Sequence, residues 1–306
     1  MTGSDTCLLT IAIPTYNRAG KLDDCLGRIV TQLEATRPPV RVVVYNNAST
    51  DATAAVVEKW TKRCPAVTAH ANPVNLGFVG NYCRCIRECR TEYVWVVGDD
   101  DPLRPGAIDA VLAAIEASPR TGFFLLNYGS IDMKTGNRRS EAVFPTEGPE
   151  SSADARGFFE ECMAREYGCA MFITACVYQA KSAAAALAEW PAQPDNVALP
   201  LHLSGATAAR QGMRLVRRVC FDGTYAENSW SGISFKVQMT DMPEIYARLL
   251  RQDGFSPALG AGYHAEAASY FRRPRGRMLK APLTWWRAFR AYGAFRRAVV
   301  AAKKAG

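Results

Sequence analysis

The sequence lacks the features that mark several large classes of protein. No apolar run approaches the roughly 20 residues that cross a bilayer, so a membrane-spanning protein is not expected. Residues 1–6 contain no basic residue of the kind that opens a signal peptide, and both observations favour the cytoplasm. No CxxC pair, internal repeat or low-complexity linker interrupts the 306 residues, a length typical of one large domain or two small ones.

The ten cysteines fit a reduced protein core better than disulfides or a metal site. A chain of this length buries about three quarters of its unfolded surface, so it needs no covalent cross-link. Cys83, Cys85 and Cys89 form the one cluster, but on a helix the first two side chains point about 200° apart. That divergence disfavours zinc, and we expect free thiols that pack as small hydrophobic side chains.

Positive charge is concentrated at one end of the chain. The net charge is +8, yet the residues from Arg272 to the end include eleven basic residues and no acidic one. The rest of the chain carries 26 basic and 29 acidic residues, a net charge of −3. A protein that binds nucleic acid through its main body would carry the basic excess there, so nucleic acid is not an expected partner.

The first 126 residues alternate short apolar runs with helical patterns, as a largely parallel sheet with crossover helices requires. Strands are predicted at 8–13, 40–45, 67–71, 93–97 and 122–126, and later at 172–178 and 215–220. We expect an α/β fold with helices on both faces of the sheet. Residues 1–130 would form one half, 131–271 a smaller α/β region, and 272–306 a basic helical C-terminus.

Polar loops follow the first, second and fourth strands, and in an open parallel sheet such loops gather at one edge to form the ligand crevice. Neither GxGxxG nor GxxxxGK[ST] follows the first strand, which argues against a dinucleotide enzyme and a P-loop phosphotransferase. Asp99, Asp100 and Asp101 end the apolar fourth strand, where a divalent cation would relieve their mutual repulsion. The alternative is a solvated acidic turn that leads into the helix at Pro105.

Four ordered motifs resemble the inverting family 2 glycosyltransferases of GT-A fold, of the bacterial O-antigen type that includes abequosyltransferases. The motifs are IPTYNR at 13–18, NASTD at 47–51, NLG at 75–77 with Asn81, and VVGDDD at 96–101. The resemblance implies a GT-A fold with a Rossmann-like, mostly parallel sheet. It also implies metal-dependent transfer of a sugar from a nucleotide diphosphate sugar to a hydroxyl of a glycan or lipid-linked acceptor in surface polysaccharide synthesis.

The resemblance also implies the site residues. The nucleotide would contact Pro14, Thr15, Tyr16, Arg18, Asn46, Asn47, Asn75, Gly77, Asn81, Arg84 and Asp99. Asn47 would read the base edge, and Arg84 or Arg18 would replace the arginine that related proteins often carry at position 80. Asp100 would bind Mn²⁺ or Mg²⁺, assisted by Asp99 and Asp101. The family usually has an acidic residue at one or both of positions 46 and 47. Because that residue and the arginine at position 80 are missing, a non-catalytic nucleotide- or carbohydrate-binding protein of the same fold is the alternative.

Sugar transfer with inversion also needs a general base that takes the proton of the attacking hydroxyl. The resemblance implies an acidic base on the acceptor side. Asp195, at the start of a predicted helix, is the preferred candidate, with Glu189 and His202 as substitutes. The alternatives are an N-cap role for Asp195 and a core position for His202, while His264 is a candidate extra metal ligand.

The C-terminal residues combine arginines with aromatic side chains such as Trp285 and Trp286. A basic, aromatic amphipathic segment can lie on an anionic membrane surface, as a lipid-linked acceptor would require. The same pattern also fits a C-terminal helix that packs on the domain.

Overall fold

The described residues contribute eight strands to one mixed sheet. The computed structural model describes residues 7–132, 134–166, 168–191, 194–225, 234–264, 267 and 282–305. The strands are β1 (Leu9–Thr15), β2 (Val40–Asn46), β3 (Val67–Ala71), β4 (Tyr93–Val96), β5 (Phe123–Asp132), β6 (Arg138–Ser140), β7 (Cys176–Gln179) and β8 (Met213–Tyr225). Their order is β3-β2-β1-β4-β7-β5-β6, and β8 also pairs with β5.

Most neighbouring strands run parallel, which confirms the predicted α/β fold. β1 pairs in parallel with β2 and β4, and β2 pairs in parallel with β3. The antiparallel β7 lies between β4 and β5. β5 and β8 are longer than predicted because they pair with each other in parallel from Phe123 to Asp132, well beyond their apolar cores. Since residue 130 lies inside β5, the two predicted halves of the chain share one sheet.

Helices connect and cover the strands. They are α1 (Ala19–Thr36), α2 (Thr53–Arg63), α3 (Gly77–Arg87), α4 (Ala107–Ala117), α5 (Ala155–Arg165), α6 (Ala180–Ala188), α7 (Leu199–Gln211), α8 (Met242–Gln252) and α9 (Pro282–Ala305). α1 shows the usual amphipathic pattern, since its buried residues recur at three- and four-residue spacing from Leu22 to Leu33. α7 differs, because every residue from Leu199 to Ala208 is buried. It is therefore a core helix.

The sequence predicts a helix over 233–250 with an interruption near Pro243. The helical path begins at Ser234, passes through a π-helical turn at Val237–Asp241 and continues as α8. Pro243 is the second residue of α8 and follows the π-helical turn directly, so its missing backbone N–H coincides with the change in helical hydrogen bonding at the predicted interruption. All ten cysteines are free thiols, and eight of them are buried. None of the described helices combines the length and the apolar character needed to cross a bilayer.

The C-terminal helix α9 packs on the domain. Trp285, Ala288, Phe295 and Ala298 form its buried side. The Phe295 ring lies 5.9 Å from that of Tyr246 in α8 and 5.4 Å from that of Tyr263. Of the two alternatives for this region, packing therefore holds for residues 282–305, while residues 272–281 lie outside the described part of the chain. The opposite side of α9 leaves Leu283 and Trp286 exposed.

The buried side of α9 should contribute strongly to stability. We expect Phe295→Ala to lower the free energy of unfolding by about 3–5 kcal/mol, because it leaves a cavity beside Tyr246 and Tyr263. Leu283→Ala, a change at an exposed position of the same helix, should stay within about 0.5 kcal/mol of the parent chain. Urea denaturation of the three proteins measures both effects. Equal, small changes would contradict the packing of α9.

Candidate functional site

The three aspartates follow β4 at the edge of the sheet where the parallel strands end. Gly98 begins the turn, and its backbone N–H donates to Thr174 Oγ1 at 2.9 Å. A Cβ atom at this position would lie 2.8 Å from Asp101 Oδ2, so a larger residue would displace the Asp101 carboxylate from its hydrogen bonds. Glycine therefore suits the point where the strand enters the acidic turn.

Asp99 is buried and is compensated from β1 and the loop that follows it. Its carboxylate accepts hydrogen bonds from Thr15 Oγ1 at 2.7 Å and from Arg18 Nη1 at 2.9 Å. Burial nevertheless raises the pKa of Asp99, with Arg18 and Thr15 acting in the opposite direction. Thr15, predicted to contact the nucleotide, thus supports the first aspartate.

Asp101 is buried as well, and both of its carboxylate oxygens are occupied. Thr174 Oγ1 donates to Oδ2, and the Thr224 backbone N–H donates to Oδ1 at 3.3 Å. Burial raises the pKa of Asp101 to about 7, although the Thr174 hydroxyl opposes the shift. Asp101 therefore joins the acidic turn to the end of β8 and to the turn that precedes β7.

Asp100 is the member of the triplet that reaches solvent, with 28% of its side chain exposed. Its Oδ2 lies 2.8 Å from Arg18 Nη1 and 3.2 Å from Lys21 Nζ. The three carboxylates do not converge on one point. Among the described residues, no group of three His, Cys, Asp or Glu side chains is arranged to hold a metal ion.

This arrangement fits a divalent ion of the kind that nucleotides carry. Mg²⁺ is usually held by one or two carboxylates, with water and substrate phosphate oxygens completing its coordination. Asp100 can supply one such carboxylate, because Arg18 and Lys21 both donate to its Oδ2, whereas both oxygens of Asp99 and of Asp101 already accept hydrogen bonds. Lys21, which the sequence analysis missed, adds a second cation beside Arg18, one helical turn further along the chain.

Asn47 is the centre of a buried amide network. Its Nδ2 donates to Asn75 Oδ1 at 2.8 Å and to the Gly77 carbonyl at 3.2 Å. Its Oδ1 accepts from Asn72 Nδ2 at 2.7 Å and from the Leu76 N–H at 2.9 Å. A side-chain amide has two donors and two acceptor lone pairs, so none is left for a base. The expectation that Asn47 reads the base edge is therefore corrected to a structural role.

Two further predicted nucleotide contacts belong to the same network. Asn81 is buried, and its Nδ2 donates to the Tyr45 carbonyl at 2.9 Å. Arg84 donates to Glu88 Oε1 at 2.7 Å and to Asn72 Oδ1, with its guanidinium 5.7 Å from the Tyr45 ring centre. These contacts hold α3 against β2 and β3. Arg84, predicted to contact the nucleotide, is thus engaged with Glu88, Asn72 and Tyr45.

The loops after β1 and β2 are tied together at the same edge. Asn17 adopts a positive φ of 51°, and its Oδ1 accepts from the Thr50 N–H at 2.7 Å. Asn46 Oδ1 accepts from the Ser49 N–H at 3.0 Å, which shapes the second loop. Pro14 lies inside β1, paired with Tyr45 of β2. Tyr16, by contrast, is 42% exposed in the loop that follows β1.

On the acceptor side, Asp195 is exposed and its backbone carbonyl accepts from Lys236 Nζ at 2.7 Å. Its carboxylate makes no hydrogen bond within the described part of the chain. Asn196 Oδ1 accepts from the Ala198 N–H at 2.9 Å just before α7. The polar contact at the start of this helix therefore comes from Asn196, and the N-cap alternative for Asp195 does not hold.

The two substitute bases are engaged elsewhere. The Glu189 carboxylate pairs with Arg210 and lies 3.6 Å from Arg248. Partial burial raises the pKa of Glu189, but Arg210 outweighs it and the net shift is downward, which weakens a base. His202 is fully buried in α7, and burial lowers its pKa to about 4. Its core alternative therefore holds. His264 Nδ1 contacts Tyr292 Oη at 2.8 Å, which gives it a packing role against α9.

Comparison with known proteins gives one family match and two sequence relatives. The model of the family described as glycosyl transferase family 2 matches residues 10–177. The chain is 32% identical over 97 residues to the abequosyltransferase RfbV of Salmonella typhimurium, which covers 31% of this chain and 29% of that protein. It is 28% identical over 109 residues to an uncharacterised protein of Mycobacterium tuberculosis, covering 36% and 33%. The matches thus span about a third of each of these relatives.

Solved structures share the fold over nearly the whole chain. Residues 1–349 of S. aureus TarS in complex with UDP-GlcNAc superpose with a TM-score of 0.66 and 15% identity, covering 95% of this chain and 81% of that one. The mannosyltransferase PcManGT from Pyrobaculum calidifontis, in complex with GDP-Man and Mn²⁺, gives a TM-score of 0.57 and 19% identity, covering 98% and 76%. At these identities the likeness extends to the fold alone.

The amide network can be tested separately from nucleotide binding. Asn47→Asp replaces a donor that faces Asn75 Oδ1 and the Gly77 carbonyl with a third acceptor. We expect the free energy of unfolding to fall by about 2–3 kcal/mol without any ligand. The control is Asn137→Asp, the same change at an exposed turn, which should have little effect. An unchanged stability of Asn47→Asp in urea denaturation would return Asn47 to a ligand-binding role.

Proposed function

Because the chain belongs to glycosyl transferase family 2, we propose that the protein is a metal-dependent, inverting glycosyltransferase. It moves a sugar from a nucleotide diphosphate sugar to a hydroxyl group of a glycan acceptor. The observation that carries this proposal is the partly exposed Asp100 carboxylate between Arg18 and Lys21. The likeness to an abequosyltransferase over 97 residues supports a role in bacterial surface polysaccharide synthesis. The ten free cysteines fit a reducing compartment such as the cytoplasm.

Asp100 would hold the divalent ion, Mn²⁺ or Mg²⁺, in this proposal. A bound divalent ion stabilises the negative charge that grows on a leaving diphosphate. Arg18 and Lys21 can also stabilise the negative charge on the diphosphate, because both cations lie within 3.2 Å of Asp100 and remain nearly half exposed. A diphosphate that enters the crevice offers them new anionic partners. Asp99 and Asp101 would keep the turn in position rather than bind the ion.

The Asp195 carboxylate is the proposed general base. An acceptor hydroxyl attacks the anomeric carbon from the side opposite the leaving nucleotide, and its proton passes to the base as the bond forms. Asp195 is supported by its exposure and by a carboxylate without hydrogen bonds to the described residues. Glu189 and His202 lack these properties. Residues 1–130 would thus serve the donor, and residues 131–271 the acceptor.

A test of the donor site compares nucleoside diphosphate affinity with Mn²⁺ and with EDTA by calorimetry, over a panel of bases. We expect tight binding of at least one diphosphate only with Mn²⁺, since Arg18 and Lys21 are already paired with the aspartates and the divalent ion supplies further positive charge beside the phosphates. Asp100→Asn should abolish that difference while leaving the fold stable. Asp24→Asn, an exposed change on α1, is the control and should bind as the parent does. Equal affinity in EDTA and Mn²⁺ would reject the metal role.

A second test concerns the base. Asp195→Asn should lower the rate of nucleoside diphosphate release by roughly 10²–10⁴, with the donor identified above and a glycolipid extract as acceptor. Its nucleotide affinity should be unchanged. Glu189→Gln should retain the rate, because its partners are the arginines of α7 and α8. Normal turnover in Asp195→Asn would move the base elsewhere. Nucleotide binding with no turnover in the parent chain would favour the non-catalytic alternative.

A further inference from the structure

The side of α9 that faces away from the domain has an unusual composition. Residues at spacings of three, four and seven lie on one side of a helix, and this outward row contains Leu283, Trp286, Arg290, Arg297 and Lys304. Leu283 is 76% exposed and Trp286 is 54% exposed. Large apolar side chains at one end of the row are thus followed by three cations, with Gly293 and the exposed Val300 between them.

The charge of α9 has one sign. The helix contains six basic residues and no acidic residue, and all six basic side chains are exposed: Arg287, Arg290, Arg296, Arg297, Lys303 and Lys304. The Arg290 guanidinium lies 4.7 Å from the Trp286 ring centre, so aromatic and cationic groups form one surface. The buried side of α9 is enough to pack the helix on the domain, so packing does not explain the basic and aromatic side chains on its exposed side.

The amino end of α9 lies beside the acceptor side of the molecule. The ring of Trp285 packs 4.8 Å from that of Phe235. The next residue, Lys236, donates to the backbone carbonyl of Asp195. The exposed Leu283 and Trp286 are therefore close in the fold to the segment that carries the proposed base.

We infer that the outward row of α9 docks the protein on an anionic lipid surface. Trp286 and Leu283 enter the interface while Arg290, Arg297 and Lys304 bind lipid phosphates. The buried side of α9 fixes this surface to the domain. Docking then brings the region of Asp195 to the lipid, where a lipid-linked acceptor would present its glycan. This last step rests on the proposed function, whereas the docking itself does not.

The test uses the full chain and vesicles of pure phosphatidylcholine or of equal parts phosphatidylcholine and phosphatidylglycerol. One variant carries Arg290→Gln, Arg297→Gln and Lys304→Gln. The matched control carries Arg90→Gln, Arg120→Gln and Lys181→Gln, which removes the same charge from exposed positions near the opposite edge of the sheet. A third variant is Trp286→Ser. Co-sedimentation gives the partition constant for each, at low and at raised salt.

We expect the parent to bind the anionic vesicles and to lose binding as salt rises. The triple variant of the outward row should bind on the order of 100-fold more weakly, because each cation near an anionic surface contributes about fivefold. Trp286→Ser should lose about tenfold, and the control triple less than about threefold.

Equal losses in the two triple variants would overturn the proposal, as would a parent that ignores anionic vesicles. A dimeric parent without lipid together with a monomeric Trp286→Ser variant would also overturn it, because this surface would then bind a second copy of the chain. Calorimetry of a nucleoside diphosphate with Mn²⁺ on the same variants separates the proposals, since the donor site should bind equally in all of them.

Discussion

The carboxylates of Asp99 and Asp101 are buried at the end of an apolar strand, and their compensation organises the functional edge of the sheet. An uncompensated buried carboxylate costs several kcal/mol. Thr15 of β1 and Arg18 compensate Asp99, while Thr174 before β7 and the Thr224 N–H of β8 compensate Asp101. Elements from both halves of the chain therefore meet at one acidic turn, and Asp100 is the carboxylate left for chemistry.

The amide network around Asn47 holds the loops that follow β2 and β3 in place, as the contacts of Asp99 and Asp101 hold the turn that follows β4. Hydrogen bonds join the side chains of four asparagines to one another and to the backbone, namely Asn47, Asn72, Asn75 and Asn81. These hydrogen bonds form in the protein without a ligand, which lowers the entropic cost of ordering the site when a ligand binds. The side chains that remain accessible at this edge of the sheet include Tyr16, Arg18, Lys21 and Asp100.

Local patterns were sufficient for β1, β2, β4 and the acidic turn, because burial of these strands leaves continuous apolar runs that end at polar loops. They missed the short exposed β6, and they placed the start of β7 four residues too early, where a 3-10 turn lies. They were insufficient for hydrogen-bond partners, which come from far along the chain. Thr174 is 73 positions from Asp101, and Thr224 is 123 positions from it. Asn47 has the right chemistry to read a base, but its partners Asn72 and Leu76 already occupy its acceptor. The basic aromatic pattern of α9 fitted both packing on the domain and contact with a membrane. The sequence alone did not show that one side of the helix packs and the other side exposes its charges.

The proposed function requires Asp100, rather than Asp99 or Asp101, to bind the ion that accompanies the donor diphosphate. A crystal structure with Mn²⁺ and the nucleoside diphosphate, analysed by manganese anomalous scattering, would locate this ion. We expect one ion between Asp100 and the phosphate oxygens, with Asp101 still bonded to Thr174 and with Arg18 or Lys21 on the diphosphate. An ion held by Asp99 or Asp101 with those hydrogen bonds broken, or a bound diphosphate with no ion at Asp100, would contradict it.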